Sequence, residues 1–96
     1  MEETVKYSIL LELYGKLLTD KQYELLDYYY NNDLGLSEIA ENFGITRQAV
    51  RDNLKKGENN LLEFENKLHL MEKINKIDNL QISSKIKTEI RNILLK

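Results

Sequence analysis

The sequence predicts an all-α fold: a helix-turn-helix core carrying a long C-terminal helical extension. Three observations predict it. The 96 residues contain no proline and only four glycines, while Leu, Glu, Lys and Ile abound. The strict apolar/polar alternation of half-buried strands is missing, whereas apolar residues recur at helical spacing. Residues 37–56, SEIAENFGITRQAVRDNLKK, read as a short amphipathic helix, a tight turn and a second helix.

A first helix is expected from about Thr4 to Leu18. Val5, Tyr7, Ile9, Leu10, Leu11, Leu13, Tyr14, Leu17 and Leu18 cover most of its circumference. That stripe is too wide for a helix lying on one small core. It needs either a second subunit over the surplus face, which the chain's small size favours, or a sandwich within the domain. Thr19-Asp20-Lys21-Gln22 is a capping box, with Thr19 as N-cap and Gln22 reaching back from the third helical position. It opens a second helix to about Asn31, with Leu25, Leu26, Tyr29 and Tyr30 as its packing side. The Tyr28-Tyr29-Tyr30 run fits core and rim packing, with stacking on a nucleobase as the alternative. At most one of three adjacent helical positions can face a given partner.

Asn31-Asn32-Asp33-Leu34-Gly35 has strong turn chemistry. In the motif that follows, Ser37 is the expected N-cap of the first helix, with Ile39, Ala40 and Phe43 on one face. Small Ala40 lets the two helices cross closely, and Gly44 supplies a left-handed turn residue. Thr46 caps the second helix, whose inward face carries Ala49, Val50 and Leu54. Arg47, Gln48, Arg51 and Lys55 then fall on the outward side, where a recognition helix meets a DNA major groove.

Val50, Leu54, Gly57, Leu61, Phe64, Leu68 and Met71 step by fours and threes, a heptad seam with one gap at Gly57. The preferred expectation is one long helix to about Ile77, its distal part packing on the first helix. The alternative is two helices meeting at Gly57–Asn60. Asp78 to Gln81 reads as a break, and Ser83 or Ser84 caps a last helix to about Leu95. Ile82, Ile86, Ile90, Ile93 and Leu94 form its stripe, expected to dock on the rest of the fold, with Lys85, Lys87, Arg91 and Lys96 around it. Residues 1–77 thus form one helical domain, to which the basic helix of residues 78–96 is attached.

Charge argues in both directions. The net charge is −2, unusual for a nucleic-acid binder. Residues 1–66 carry 7 basic and 13 acidic groups, whereas residues 67–96 carry 7 basic and 3 acidic ones. Within the second helix of the motif Arg47, Arg51, Lys55 and Lys56 outweigh Asp52, so the positive field is local. Phosphate affinity is expected to be weak and steeply salt-dependent. With no cysteine, disulfides and thiolate metal sites are excluded. The single His69 lacks a second histidine or converging carboxylates and reads as a solvated or partly packed helix residue. No glycine loop, metal spacing or nucleophile–base pair points to an enzyme, a metal or a cofactor. MEETVKYS lacks a cationic start and apolar run, and no apolar run is long enough to span a membrane, so a cytoplasmic protein is expected.

LTDKQ, LSEIAE, TRQAV and the LHL-x-EK segment together make a distinctive set within residues 5–77. The chain resembles the small YlxM-like bacterial helix-turn-helix proteins. That family is similar in turn to region 4 of sigma factors, a winged-helix- or homeodomain-like three-helix core that binds the promoter −35 element. The resemblance implies an all-helical fold, a homodimer and a regulatory role tied to the signal recognition particle pathway, because the family's genes sit beside those of the particle's GTPases. Carried across by position, it places the recognition-helix entry at Thr46, Arg47, Gln48 and Arg51, and with Ser37 and Lys55 these make the expected nucleic-acid contact. Thr46 and the helix N-terminus suit a phosphate. Arg47 and Gln48 suit base edges, and Arg51 and Lys55 the backbone. DNA ranks ahead of RNA. The competing reading is a protein-interaction accessory factor for the particle's protein or RNA.

Overall fold

The computed structural model describes residues 2–95, and the described residues form six α-helices and one 3-10 turn with no strand. The helices are α1 (Glu3–Tyr14), α2 (Asp20–Tyr30), α3 (Leu36–Phe43), α4 (Arg47–Leu68), α5 (Leu70–Asp78) and α6 (Ser84–Leu95). The molecule is elongated, 48 × 24 × 23 Å.

Helix α1 packs against α2, α4 and α5. Tyr7, Leu10, Leu11 and Tyr14, at the spacing of one helix face, are buried in the common core, while Ile9 and Leu13 on the other sides are only half-buried. Only Val5 and Leu17, the latter in the 3-10 turn Gly15–Leu17, remain strongly exposed. The capping box of α2 forms as its sequence demands. Thr19 Oγ1 accepts from the Gln22 amide at 3.2 Å, and the Gln22 side chain accepts from the Thr19 amide. Leu25 and Leu26 then turn inward, fully buried.

The long helix departs from expectation. Helix α4 continues unbroken through Gly57 as preferred, but a break falls twelve residues later at His69, in the left-handed region (φ 58°, ψ 30°). Gly57 instead serves a close approach. A Cβ there would lie 2.8 Å from Leu26 Cδ1, so a glycine lets α4 seat against α2. At His69 the four amides that open α5 all find acceptors. The Leu70 amide donates to the Tyr14 hydroxyl (3.1 Å), and those of Met71 and Glu72 donate to the Glu65 carboxylate (2.9 and 3.2 Å). The Lys73 amide donates to the His69 carbonyl. This set offsets the cost of a left-handed histidine and turns α5 onto α1, where Ile74 is buried.

Of the two serines expected to cap α6 it is Ser83 that does so, its Oγ accepting from the Ile86 amide at 3.2 Å; the packing of the helix is what differs from expectation. None of its described residues is buried, and it packs chiefly on α5. Its apolar stripe therefore does not dock on the rest of the fold: Ile86 is 46% and Ile93 79% exposed. Lys87 Nζ and the Arg91 guanidinium hold α6 to Asp78 at the end of α5.

Candidate nucleic-acid interface

Helices α3 and α4 cross as the spacing of Ala40, Gly44 and Val50 requires. Gly44 sits at φ 63°, ψ 36°, closing α3 in a double hydrogen-bonded cap. Its own amide donates to the Glu41 carbonyl and the Ile45 amide donates to the Ala40 carbonyl. Thr46 then starts α4, its Oγ1 accepting from the Ala49 amide at 3.0 Å. Ile39 and Val50 are completely buried between the two helices, with Ala40 and Leu54 nearly so.

One N-cap assignment is corrected. Gly35 precedes α3 and Ser37 lies inside its first turn, exposed, with no capping bond. The Glu38 carboxylate reaches back to the Gly35 amide at 3.5 Å, the half of a capping box that does not need an N-cap side chain. Glycine is acceptable at an N-cap, and Glu38 satisfies an amide that Ser37 would not reach.

The outward side of α4 carries Arg47, Arg51 and Lys55, all exposed, one turn apart and so about 6 Å apart along the axis. None forms an ion pair among the described residues; the four pairs present involve Glu63, Glu72 and Asp78. Gln48 is also exposed but engaged, its Nε2 donating to Asp52 Oδ1 at 3.0 Å. The amide group is thereby oriented along the helix, and reading a base means exchanging that bond. Asp52 therefore competes for the face by a hydrogen bond as well as by its charge.

The tyrosines divide unequally. Tyr28, half-buried, packs edge-on against Phe43, with ring centroids 5.8 Å apart. Tyr30 stacks on Tyr7 at 5.1 Å and donates its hydroxyl to the Glu58 carboxylate. Burial, then that bond, pushes its ionisation upward. Tyr29 was expected on the packing side with Leu25 and Leu26, but it is 37% exposed. Its spacing from Leu26 suited the core; the ring reaches the rim because Tyr30 and Tyr7 already fill that end of it.

His69 lies away from this surface, exposed at the α4–α5 corner, with Nδ1 3.1 Å from a Glu72 carboxylate oxygen. Among the described residues no cluster of His, Asp and Glu is placed to hold a metal. No described helix is long and apolar enough to cross a membrane.

A buried crossing between two short helices, joined by a left-handed glycine and presenting unpaired cations on the second, defines a helix-turn-helix protein. The sequence model of the family described as "Putative helix-turn-helix protein, YlxM / p13 like" matches residues 1–94. The chain belongs to that family. A UPF0122 protein of Clostridium kluyveri is 51% identical over 78 residues, 81% of this chain and 70% of the relative. One from Desulforamulus reducens is 42% identical over 94 residues, 98% of this chain and 75% of the relative. One from Streptococcus gordonii is 49% identical over 70 residues, 73% of this chain and 64% of the relative.

Proposed function

We propose that this chain is a cytoplasmic regulatory protein that binds DNA by laying the first turns of α4 in a major groove. One observation carries the reading: Arg47, Arg51 and Lys55 stand exposed and without carboxylate partners on the outer side of a helix that buries Val50 and Leu54 on its inner side. Thr46 and the opening amides of α4 suit a phosphate, Arg47 and Gln48 suit base edges, and Arg51 and Lys55 suit the backbone. Ser37, exposed in the first turn of α3, is a further phosphate contact. Selection of bound duplexes from a random pool tests this. Arg47→Ala and Arg51→Ala should weaken binding of the selected duplex by about 1–3 kcal/mol where bases are read. Unchanged affinity in both variants overturns the reading.

The protein works as a homodimer in this proposal. An uncovered stripe of Ile82, Ile86, Ile93 and Leu94 supports that, because a small chain seldom leaves such a run facing water. The tie to the signal recognition particle pathway rests on the family resemblance alone. The same stripe, together with the Gln48–Asp52 bond across the reader face, favours a second reading: an accessory factor that docks on the particle's protein or RNA. Co-purification of the particle, undiminished by loss of Arg47 and Arg51, would select it over the first.

A further inference from the structure

Beside the reader face lies a groove of about 400 Å³ that shares Arg51 and Lys55 with it and adds Tyr29 and Glu3, which the helix-turn-helix reading does not use. Arg51, Lys55, Tyr29, Leu54 and Glu3 are among the residues that line it. Its polar groups divide into two kinds. The two cations, one helical turn apart, suit a phosphate. Glu58 also lines the groove, but its carboxylate is occupied by the Tyr30 hydroxyl, whereas Glu3 has no partner among the described residues. The Tyr29 ring, held edge-to-face against Tyr30 at 5.0 Å, is a rigid and partly exposed aromatic surface. A tyrosine so held loses little side-chain freedom when a second ring stacks on it.

From this arrangement we propose that the groove is a nucleotide subsite. Arg51 and Lys55 hold the phosphate, Tyr29 stacks on the base, and the Glu3 carboxylate accepts from the base's N–H groups. Guanine fits best, because its adjacent ring N–H and exocyclic amine match the two oxygens of a carboxylate. The volume is of the size that takes a small ligand. The proposal rests on the nucleic-acid reading only in sharing Arg51 and Lys55. The same chemistry has two sources: a free guanine nucleotide, or an unpaired guanine within a strand whose neighbouring duplex lies along α4.

Two titrations of the full chain test it, with paired-duplex binding as the separate readout of the preceding proposal. In the first, guanosine 5′-monophosphate is added to isotopically labelled protein. The amides of Tyr29, Arg51 and Lys55 should shift saturably. Tyr29→Ala should weaken the fitted affinity about tenfold, while Tyr29→Phe, which keeps the ring, stays within about twofold. In the second, a labelled duplex with one unpaired guanine is compared with its fully paired counterpart. The unpaired guanine should improve binding about tenfold, and Tyr29→Ala should abolish that gain while leaving the paired duplex unchanged. A response to the monophosphate alone supports the groove with free nucleotide as its source, and a preference for the unpaired guanine alone supports the strand. Absence of both overturns the inference, even where paired duplex binds through Arg47. Loss of the paired-duplex response alone counts against the reader face and leaves the monophosphate titration to decide the groove. Because Tyr29 sits at the rim, the unperturbed remainder of the amide spectrum certifies that Tyr29→Ala is folded.

Discussion

The Tyr14 hydroxyl donates to a Glu65 carboxylate oxygen at 2.6 Å, across fifty-one residues of sequence, and that carboxylate caps α5. Through this bond α1 decides where the long helix ends. Tyr14 is 1% exposed, and its oxygen also accepts from the Leu70 amide. Removing the hydroxyl leaves both the carboxylate and the amide short of a partner. Tyr14→Phe is expected to lower unfolding free energy by about 1–3 kcal/mol in a urea titration, with α5 losing amide-exchange protection before α2 does.

The same pair sets an alkaline limit. Burial first, and then the Glu65 hydrogen bond, raise the Tyr14 ionisation from 10.0 to about 12. The folded chain thus holds this proton more tightly than the unfolded one. The stabilisation is complete below pH 10, is lost as pH climbs through about 12, and is absent above. Tyr7 and Tyr30 are shifted the same way, chiefly by burial. Thermal stability should therefore fall as pH rises beyond about 10, and Tyr14→Phe should flatten that fall. An identical alkaline profile in the variant would show that the proton on Tyr14 does not contribute.

Gly57 and Gly44 are expected to resist substitution for opposite reasons. At Gly57 a methyl group gains about 1 kcal/mol of helix propensity but meets Leu26, itself fully buried, at 2.8 Å. Overpacking of that kind costs about 1–3 kcal/mol, so Gly57→Ala should be destabilising on balance, by about 1 kcal/mol. At Gly44 an added Cβ meets nothing within 4 Å. Gly44→Ala should cost about 1–2 kcal/mol through the left-handed backbone alone, and Gly44→Asn distinctly less. Urea midpoints with unchanged slopes check both.

These residues show what could be read in advance. The capping box at Thr19, the turn at Gly44, the cap at Thr46 and the plug at Val50 are local devices, so neighbouring residues suffice to reveal them. The outward placement of Arg47, Gln48 and Arg51 follows from the same helical period. The break at His69 was not legible, because nothing within a few residues of a histidine requires a left-handed backbone. Its acceptors come from Glu65 and from Tyr14, far off in sequence. At Gly57 propensity made a break the alternative reading; the helix continues as preferred, and contact with Leu26 on α2 explains the glycine. The Gln48–Asp52 bond needed only the i, i+4 spacing, and so was within reach of the sequence.

The dimer proposal makes a plain demand on α6. Because no described residue of that helix is buried within the chain, Ile86→Asp and Ile93→Asp should leave the monomer fold intact. Sedimentation equilibrium should find the wild type dimeric at micromolar concentration and both variants monomeric. A wild-type chain that remains monomeric there contradicts the proposal.

The claim on which the account chiefly depends is that the cations along α4 meet phosphates and bases, and the salt dependence of binding tests it most directly. A selected duplex is titrated by fluorescence anisotropy at several ionic strengths with wild type, Arg47→Ala and Lys55→Ala. The account predicts a linear fall of log K with log salt, a slope shallower by about 1 in Lys55→Ala, and a loss of sequence preference in Arg47→Ala. Superimposable lines for all three proteins would contradict it.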